Sequence, residues 1–408
     1  MSSPAEGQSG PASRIAKPPL FLLVAMTALA PFAMNSFIPS IPGIVGYFGT
    51  DLATAQLTLT LFLAGLATGQ LVYGPLSDRF GRRPPLLFGL VLALAASALC
   101  VFAPSAELLN AGRVLQGLGL CAGTVLGRAM VRDSFGRDQS ASMLGYVTMA
   151  MVVVPAVAPS IGGLLDEWFG WRACFIAMLV FTACVFVWCL RAAHETNRHP
   201  VTEISLPGLV QSHRALFRSR AFVGYTSMVT TTSAAFFTFL GGAPYVTITV
   251  LELSPLTFAL CFTSVAGSYM VGSFLTGRLS VRIGIDRLIW IGLGIGVPSA
   301  LAMLLAAAVS GPSLIALFLP MTGIALGNGL CQPSGTAAAI STQPRLAGAA
   351  SGLVGFLQMT AGGIATQIVS RLQDNSLWPV AAMLFGFMSL GLLCHVWTRW
   401  RAGPATRP

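Results

Sequence analysis

Residues 74–84 read Gly-Pro-Leu-Ser-Asp-Arg-Phe-Gly-Arg-Arg-Pro, and residues 277–284 read Gly-Arg-Leu-Ser-Val-Arg-Ile-Gly. Both follow the pattern Gly-x-Leu-Ser-x-Arg-x-Gly, and their offset of 203 residues is half of the 408-residue chain. Each stretch closes a long uncharged run. Self-similarity at a fixed spacing fixes an architecture before any local signal does, so the chain is read as a duplication with a half on either side of its middle.

Outward from these two loops, charge is almost absent. No charged residue falls between Lys17 and Asp51, Asp51 and Asp78, or Arg83 and Glu107, and Glu107 to Arg128 is interrupted only by Arg113. The same holds from Asp138 to Asp166, Arg172 to Arg191, Arg220 to Glu252, Glu252 to Arg278, Arg345 to Arg371 and Asp374 to Arg399. The stretch from Arg287 to Arg345 is too long for one helix and is broken by Ser310-Gly311-Pro312. A membrane-crossing helix needs about 20 apolar residues, so twelve spans are expected, six in each half. Membrane β-strands alternate over about 10 residues, and these runs do not alternate. The composition agrees: 55% hydrophobic and 9% charged residues exclude a soluble globular protein, which carries about 25% charge.

The formal net charge of +10 is a topology signal. Twenty of the 23 Lys and Arg residues fall in the terminal segments and the alternate loops on one side, and only Arg113, Arg172 and Arg371 lie elsewhere. Basic residues accumulate on the cytoplasmic side, so both termini are expected there, in a bacterial-type inner membrane, and no nucleic-acid partner is expected. The expected parts are a cytoplasmic leader (1–17), a six-helix bundle (18–191), a linker (192–220), a second bundle (221–398) and a tail (399–408). The polar leader runs into a full-length span without an early small-residue cleavage site, so no cleavable signal is expected. The eight cysteines fall within spans and form no Cys-x-x-Cys pair, which reads as packing rather than metal or disulfide chemistry.

Parallel six-helix halves around a midplane site form one large class of secondary transporters, and this sequence resembles the major facilitator superfamily. Residues 74–84 match its loop signature. Arg113-Val114-Leu115-Gln116-Gly117 is similar to its Arg-x-x-Gln-Gly element, and Pro155-Ala156-Val157-Ala158-Pro159-Ser160-Ile161-Gly162-Gly163 to the motif of its antiporter branch. Gly170-Trp171-Arg172 and Gly355-Phe356-Leu357-Gln358-Met359 resemble the bicyclomycin and chloramphenicol resistance branch of drug:proton antiporters. The resemblance implies alternating access, a small-molecule substrate, proton exchange, a monomer in the lipid bilayer, and no cofactor.

In the 74–84 loop, Gly74 and Gly81 permit a tight turn, while Asp78 sits among Arg79, Arg82 and Arg83. Arg132 or Arg128 is the expected partner of Asp78, and Arg79 that of Asp133. The resemblance implies that this cluster latches the halves in the outward-facing state, partly against the start of span eleven. Val281 replaces the acid in the second copy, so the latch is asymmetric. In span five, Pro155 and Pro159 remove backbone donors and bend the helix, and Gly162-Gly163 allows close packing. That reads as a hinge or seal that touches no ligand.

Arg113 is the one charge inside an apolar span, and intramembrane charges mark functional cavities unless they snorkel to an interface; Gln116 lies on nearly the same helix face. The resemblance puts spans one, four, seven and ten around a cavity and implies an acid where this chain has Asn35, which cannot carry a proton. Coupling then uses another acid, such as Asp78, Asp51 or Asp133, or is absent from this site, and Arg113 is free for a polar or anionic substrate group. Phe236, Phe237 and Tyr245 are candidate aromatic walls, with Thr230, Thr231, Thr232, Ser233, Ser268, Tyr269, Asn328 and Gln332 as softer ones. An intramembrane enzyme needs paired catalytic groups, and no His-x-x-x-Asp or Glu-x-x-His occurs. A nucleotide-driven pump needs a phosphate-binding loop, which is also missing. The expected function is export of small amphipathic drugs in exchange for protons, with an uncoupled metabolite exporter or facilitator as the alternative.

Overall fold

The computed structural model describes residues 18–134, 137–197, 206–343 and 346–401. The leader, Arg198, His199, Pro200, Arg345 and Arg407 lie outside these residues, as does most of the tail. Among the described residues no strand occurs.

The first crossing is α1 (Leu20–Asn35), a tight turn over Ile38–Ser40 and α2 (Ile41–Phe48), joined end to end. Then follow α3 (Leu52–Phe80), α4 (Arg83–Val101), α5 (Ala106–Ser134), α6 (Arg137–Phe169) and α7 (Arg172–Ala192). A short amphipathic helix, α8 (Leu206–Arg218), leads into α9 (Arg220–Pro244), which a wider π turn continues over Tyr245–Val250. The second half continues with α10 (Pro255–Ile283), α11 (Ile285–Val309), α12 (Leu314–Ser341), α13 (Ala347–Leu372) and α14 (Trp378–Arg401). Eleven crossings are long and apolar enough to span a membrane, and the 33-residue α6 makes the twelfth.

The duplication is visible at the helix ends. Asp51 caps α3 by accepting from the Thr54 N–H at 2.7 Å, and Ser254 caps α10 by accepting from the Thr257 N–H at 3.2 Å. Both helices have 29 residues. They stop at Gly81 (φ +85°) and Gly284 (φ +82°), in the left-handed region that favours glycine. Start, length and stop all recur at the offset of 203 residues.

Small residues let the helices of each half touch through their backbones, the packing mode of helices in lipid. A Cβ on Gly65 would overlap the Val114 carbonyl, joining α3 to α5, and one on Gly329 would overlap the Tyr269 carbonyl, joining α12 to α10. Large apolar side chains such as Phe88, Val180, Leu260, Phe274 and Leu319 point outward. That surface is far more apolar than a water-soluble exterior tolerates.

The halves meet along α3 with α13 and α6 with α10. Thr60 donates to the Gly363 carbonyl (3.2 Å) and lies 3.1 Å from the Thr366 hydroxyl, and Gln367 donates to the Ala53 carbonyl (3.1 Å). Ser160 and Thr263 approach to 3.5 Å, and Gly163 packs on Pro255 and Ala259. These contacts lie toward the face away from the arginine-rich loops. Along α3 the seam extends to Gln70, which lies against Gly352 and Gly355 of α13.

Candidate functional site: a midplane cavity between the halves

A cavity of about 280 Å³ sits next to this seal, lined by α1, α3, α5 and α6 from one half and α9, α10, α12 and α13 from the other. Phe236, Phe237, Phe262 and Tyr269 form its aromatic surface, and Met34, Met151 and Met359 its flexible apolar surface. Gln70, Gln332, Gln358, Ser233 and Thr124 supply the hydrogen-bonding groups. No lining residue is charged.

Packing fixes the aromatic wall. The rings of Phe236 and Phe237 meet edge to face at 6.0 Å, and Phe237 occupies the space left by Gly362, where a Cβ would strike its ring. Gln358 donates to the Ser233 hydroxyl at 2.9 Å, tying α13 to α9. An apolar pocket with a few placed polar groups is the usual form of a small-molecule site.

Two of the expected wall residues, Phe236 and Phe237, line this cavity, as do Ser233, Tyr269 and Gln332. Asn35, Arg113, Gln116 and Tyr245 do not. Arg113 is 1% exposed, and its guanidinium donates to the carbonyls of Thr58 (3.0 Å) and Ala33 (3.3 Å) and to Gln116. It also lies 4.1 Å from the ring centres of both Phe37 and Phe62. Gln116 passes the chain on to the Ser97 hydroxyl at 2.8 Å. The reason is position along α5: Arg113 precedes the cavity-lining Cys121 by eight residues, about 12 Å of helix, and so sits level with the seal. Asn35 is buried and donates to the Pro31 carbonyl at 2.8 Å, back across the proline of α1. Tyr245 donates to Asn375 at 2.6 Å beyond the end of α9. Pro155, expected only to shape α6, is itself a lining residue. Gln70, Met34 and Met151 were not singled out in the sequence, because which face of a span meets the cavity is set by helix rotation and leaves no mark on a single uncharged residue.

The 74–84 loop also pairs differently from the expectation. Arg82, rather than Arg128, Arg132 or Arg79, takes both acids, contacting Asp78 and Asp133, the latter at 2.8 Å. The turn at Gly81 folds Arg82 back onto the last turn of α3 and toward the end of α5. Arg79 lies over the Phe80 ring and Arg132 is exposed. Glu195, which the sequence reading did not single out, accepts from the backbone N–H groups of Arg82 (2.8 Å) and Arg83 (3.0 Å). Burial alone would raise its pKa, but hydrogen bonds from the backbone of Arg82, Asn197, Arg83 and Thr196 prevail and hold it below the usual range. A Cβ on Gly81 would strike the Glu195 carboxylate, so that glycine is needed for space as well as conformation.

In α6 the two adjacent glycines face different neighbours. A Cβ on Gly162 would overlap the Ser36 carbonyl of the first half, whereas one on Gly163 would press on Pro255 and Ala259 of the second. The eight cysteines form no disulfide, and no metal-holding cluster occurs among the described residues.

Two six-helix halves closed on one side of a shared midplane cavity define a membrane transporter. Residues 23–366 match the model of the Major Facilitator Superfamily, and the chain belongs to that family. A chloramphenicol resistance protein of Pseudomonas aeruginosa is 30% identical over 381 residues, 92% of this chain and 90% of that one. Multidrug resistance protein D of Escherichia coli (strain K12) is 30% identical over 374 residues, 92% of this chain and 91% of that one. Among solved structures, a peptide transporter POT in complex with sulfate superposes with a TM-score of 0.75 at 13% identity, covering 96% of this chain and 97% of that one. That likeness is one of fold.

Proposed function

We propose that this chain exports small amphipathic compounds, of the kind named for its chloramphenicol and multidrug resistance relatives, across a bacterial inner membrane by alternating access. The observation that carries this reading is the cavity itself: both halves supply its walls, it combines aromatic surface with carboxamides, and contacts between the halves close it toward the face away from the arginine-rich loops. With the arginine-rich face in the cytoplasm, the closed side is the outer one, and substrate loads from the inner side. The protein works as a monomer in lipid, without cofactor or catalytic step, and has no nucleic-acid partner.

In this reading the cluster of Gly74, Asp78, Arg79, Gly81, Arg82, Arg83, Arg132 and Asp133 is the conformational latch, held within the first half while the outer side is sealed. The pair Pro155 and Pro159 with Gly162 and Gly163 forms the pivot on which the outer seal opens. Export runs in exchange for protons taken up by an acid away from the cavity, because Asn35 cannot titrate.

A second reading, a metabolite exporter or facilitator without proton coupling, is favoured by Asn35 together with a lining that holds no carboxylate. Transport of chloramphenicol into inverted membrane vesicles, with and without an imposed pH gradient, separates the two. Gradient-driven uptake supports antiport. Equal uptake without the gradient supports the facilitator, and no uptake of any compound in a broad panel overturns both.

A further inference from the structure

We infer that the cavity selects uncharged compounds joining an aromatic group to amide or hydroxyl groups, and rejects permanent cations. The inference rests on the reading of the cavity as the substrate site. Aromatic walls alone would argue the opposite, since ring faces attract cations. The surrounding charges decide the sign.

Every polar group on the lining is neutral, and three of them, Gln70, Gln332 and Gln358, are carboxamides. A carboxamide both donates and accepts, which suits an amide or alcohol and leaves a cation without a counter-charge. Behind the α1 wall stands Arg113, whose guanidinium bonds the carbonyl of Ala33, the residue next to the lining Met34. Its partners are carbonyls, a carboxamide and rings. The ion pairs among the described residues are Arg82 with Asp78 and Asp133, and Arg399 with Asp286, so no carboxylate neutralises Arg113.

A second cation guards the cavity edge. Arg128 lies one helical turn beyond the lining Thr124, is exposed, and reaches the sulfur of the lining Met151 at 2.9 Å. A cationic solute therefore meets Arg128 at the edge and Arg113 behind the wall, and no carboxylate on the lining. At about 10 Å and an effective dielectric of about 20, one like charge alone weakens binding on the order of tenfold. An anion gains from the same field, yet no lining cation donates to it directly, and its desolvation goes uncompensated.

The test is binding to the purified full-length protein in lipid nanodiscs. Radiolabelled chloramphenicol, a neutral aromatic amide diol, is displaced by unlabelled chloramphenicol, by tetraphenylphosphonium and by an aromatic carboxylate, benzoylglycinate. Saturable binding of chloramphenicol with displacement at least tenfold weaker for both ions is expected. Gln332→Glu, nearly isosteric, should improve displacement by tetraphenylphosphonium tenfold or more at a pH where the new carboxylate is ionised. Equal displacement by either ion, or no saturable chloramphenicol binding, overturns the inference, and the wild-type comparison decides this even where the variant does not fold. Selective binding without any vesicle transport leaves the selectivity standing and overturns the proposed function instead.

Discussion

The Arg113 Nε donates to the carbonyl oxygen of Thr58 at 3.0 Å, so the charge buried in α5 is bound to the backbone of α3. With Ala33 on α1 and Gln116 on its own helix, it crosslinks the first bundle at the level of the seal between the halves. Arg113→Lys keeps the charge but loses the planar fork, and leaves buried acceptors unpaired at about 1–3 kcal/mol each. The variant is expected to insert but to unfold several degrees earlier in a detergent thermal scan. A wild-type melting curve would show that the fork is dispensable.

The Glu195 carboxylate should make the 74–84 loop acid-sensitive. Its pKa is depressed in the folded protein, so its stabilisation is full above the ordinary glutamate value of about 4.3 and is lost as pH falls through the lower folded value. Hydrogen exchange at the Arg82 and Arg83 amides is expected to lose protection below about pH 4.3 in the wild type. Glu195→Gln should show the weaker protection at every pH. An acid-sensitive Glu195→Gln protein would place the titrating group elsewhere.

What the sequence made legible divides along physical lines. Spans, their breaks and the duplication were readable because each is written in contrasts: charge against its absence, and Gly81 against Gly284 at a fixed offset. The break at Ser310-Gly311-Pro312 became the turn between α11 and α12, with Gly311 at φ +70°. The cavity was only half legible. Phe236 and Phe237 could be picked out, whereas Arg113 stood out for its charge and sits buried in the packing of the first bundle instead, since whether a buried guanidinium faces water or carbonyls depends on the depth and rotation of α5. Glu195 escaped notice because its partners are backbone N–H groups, which carry no sequence signature.

Arg82 contacts both Asp78 and Asp133, which separates two substitutions that look equivalent in the sequence. Asp78→Asn is expected to retain insertion and lose transport, because it removes the acid by which Arg82 closes onto the end of α3. Asp133→Asn leaves Arg82 its Asp78 partner and keeps an acceptor for the Thr196 hydroxyl, so transport should fall without being lost. Vesicle transport normalised to inserted protein checks both, and an active Asp78→Asn protein would remove Asp78 from the latch.

Gly162 and Gly163 should fail in opposite ways when given a side chain. On Gly162 a Cβ overlaps the rigid Ser36 carbonyl, a clash inside the first bundle, and overpacking of this kind costs about 1–3 kcal/mol. On Gly163 the new atom comes within 3.2 Å of the Pro255 carbonyl and 3.3 Å of the Ala259 Cβ, across the seam between halves, where the outer seal can yield without unfolding either bundle. Gly162→Ala is therefore expected to lower thermal stability, whereas Gly163→Val should preserve it and open the outer side. The readout is labelling of Thr366→Cys by a membrane-impermeant maleimide in a cysteine-free background, since Thr366 is buried in the seam 3.1 Å from Thr60. Faster labelling with Gly163→Val than with the parent is expected. Equal labelling, or a stability loss matching that of Gly162→Ala, would place Gly163 inside a bundle's packing rather than at the moving seam.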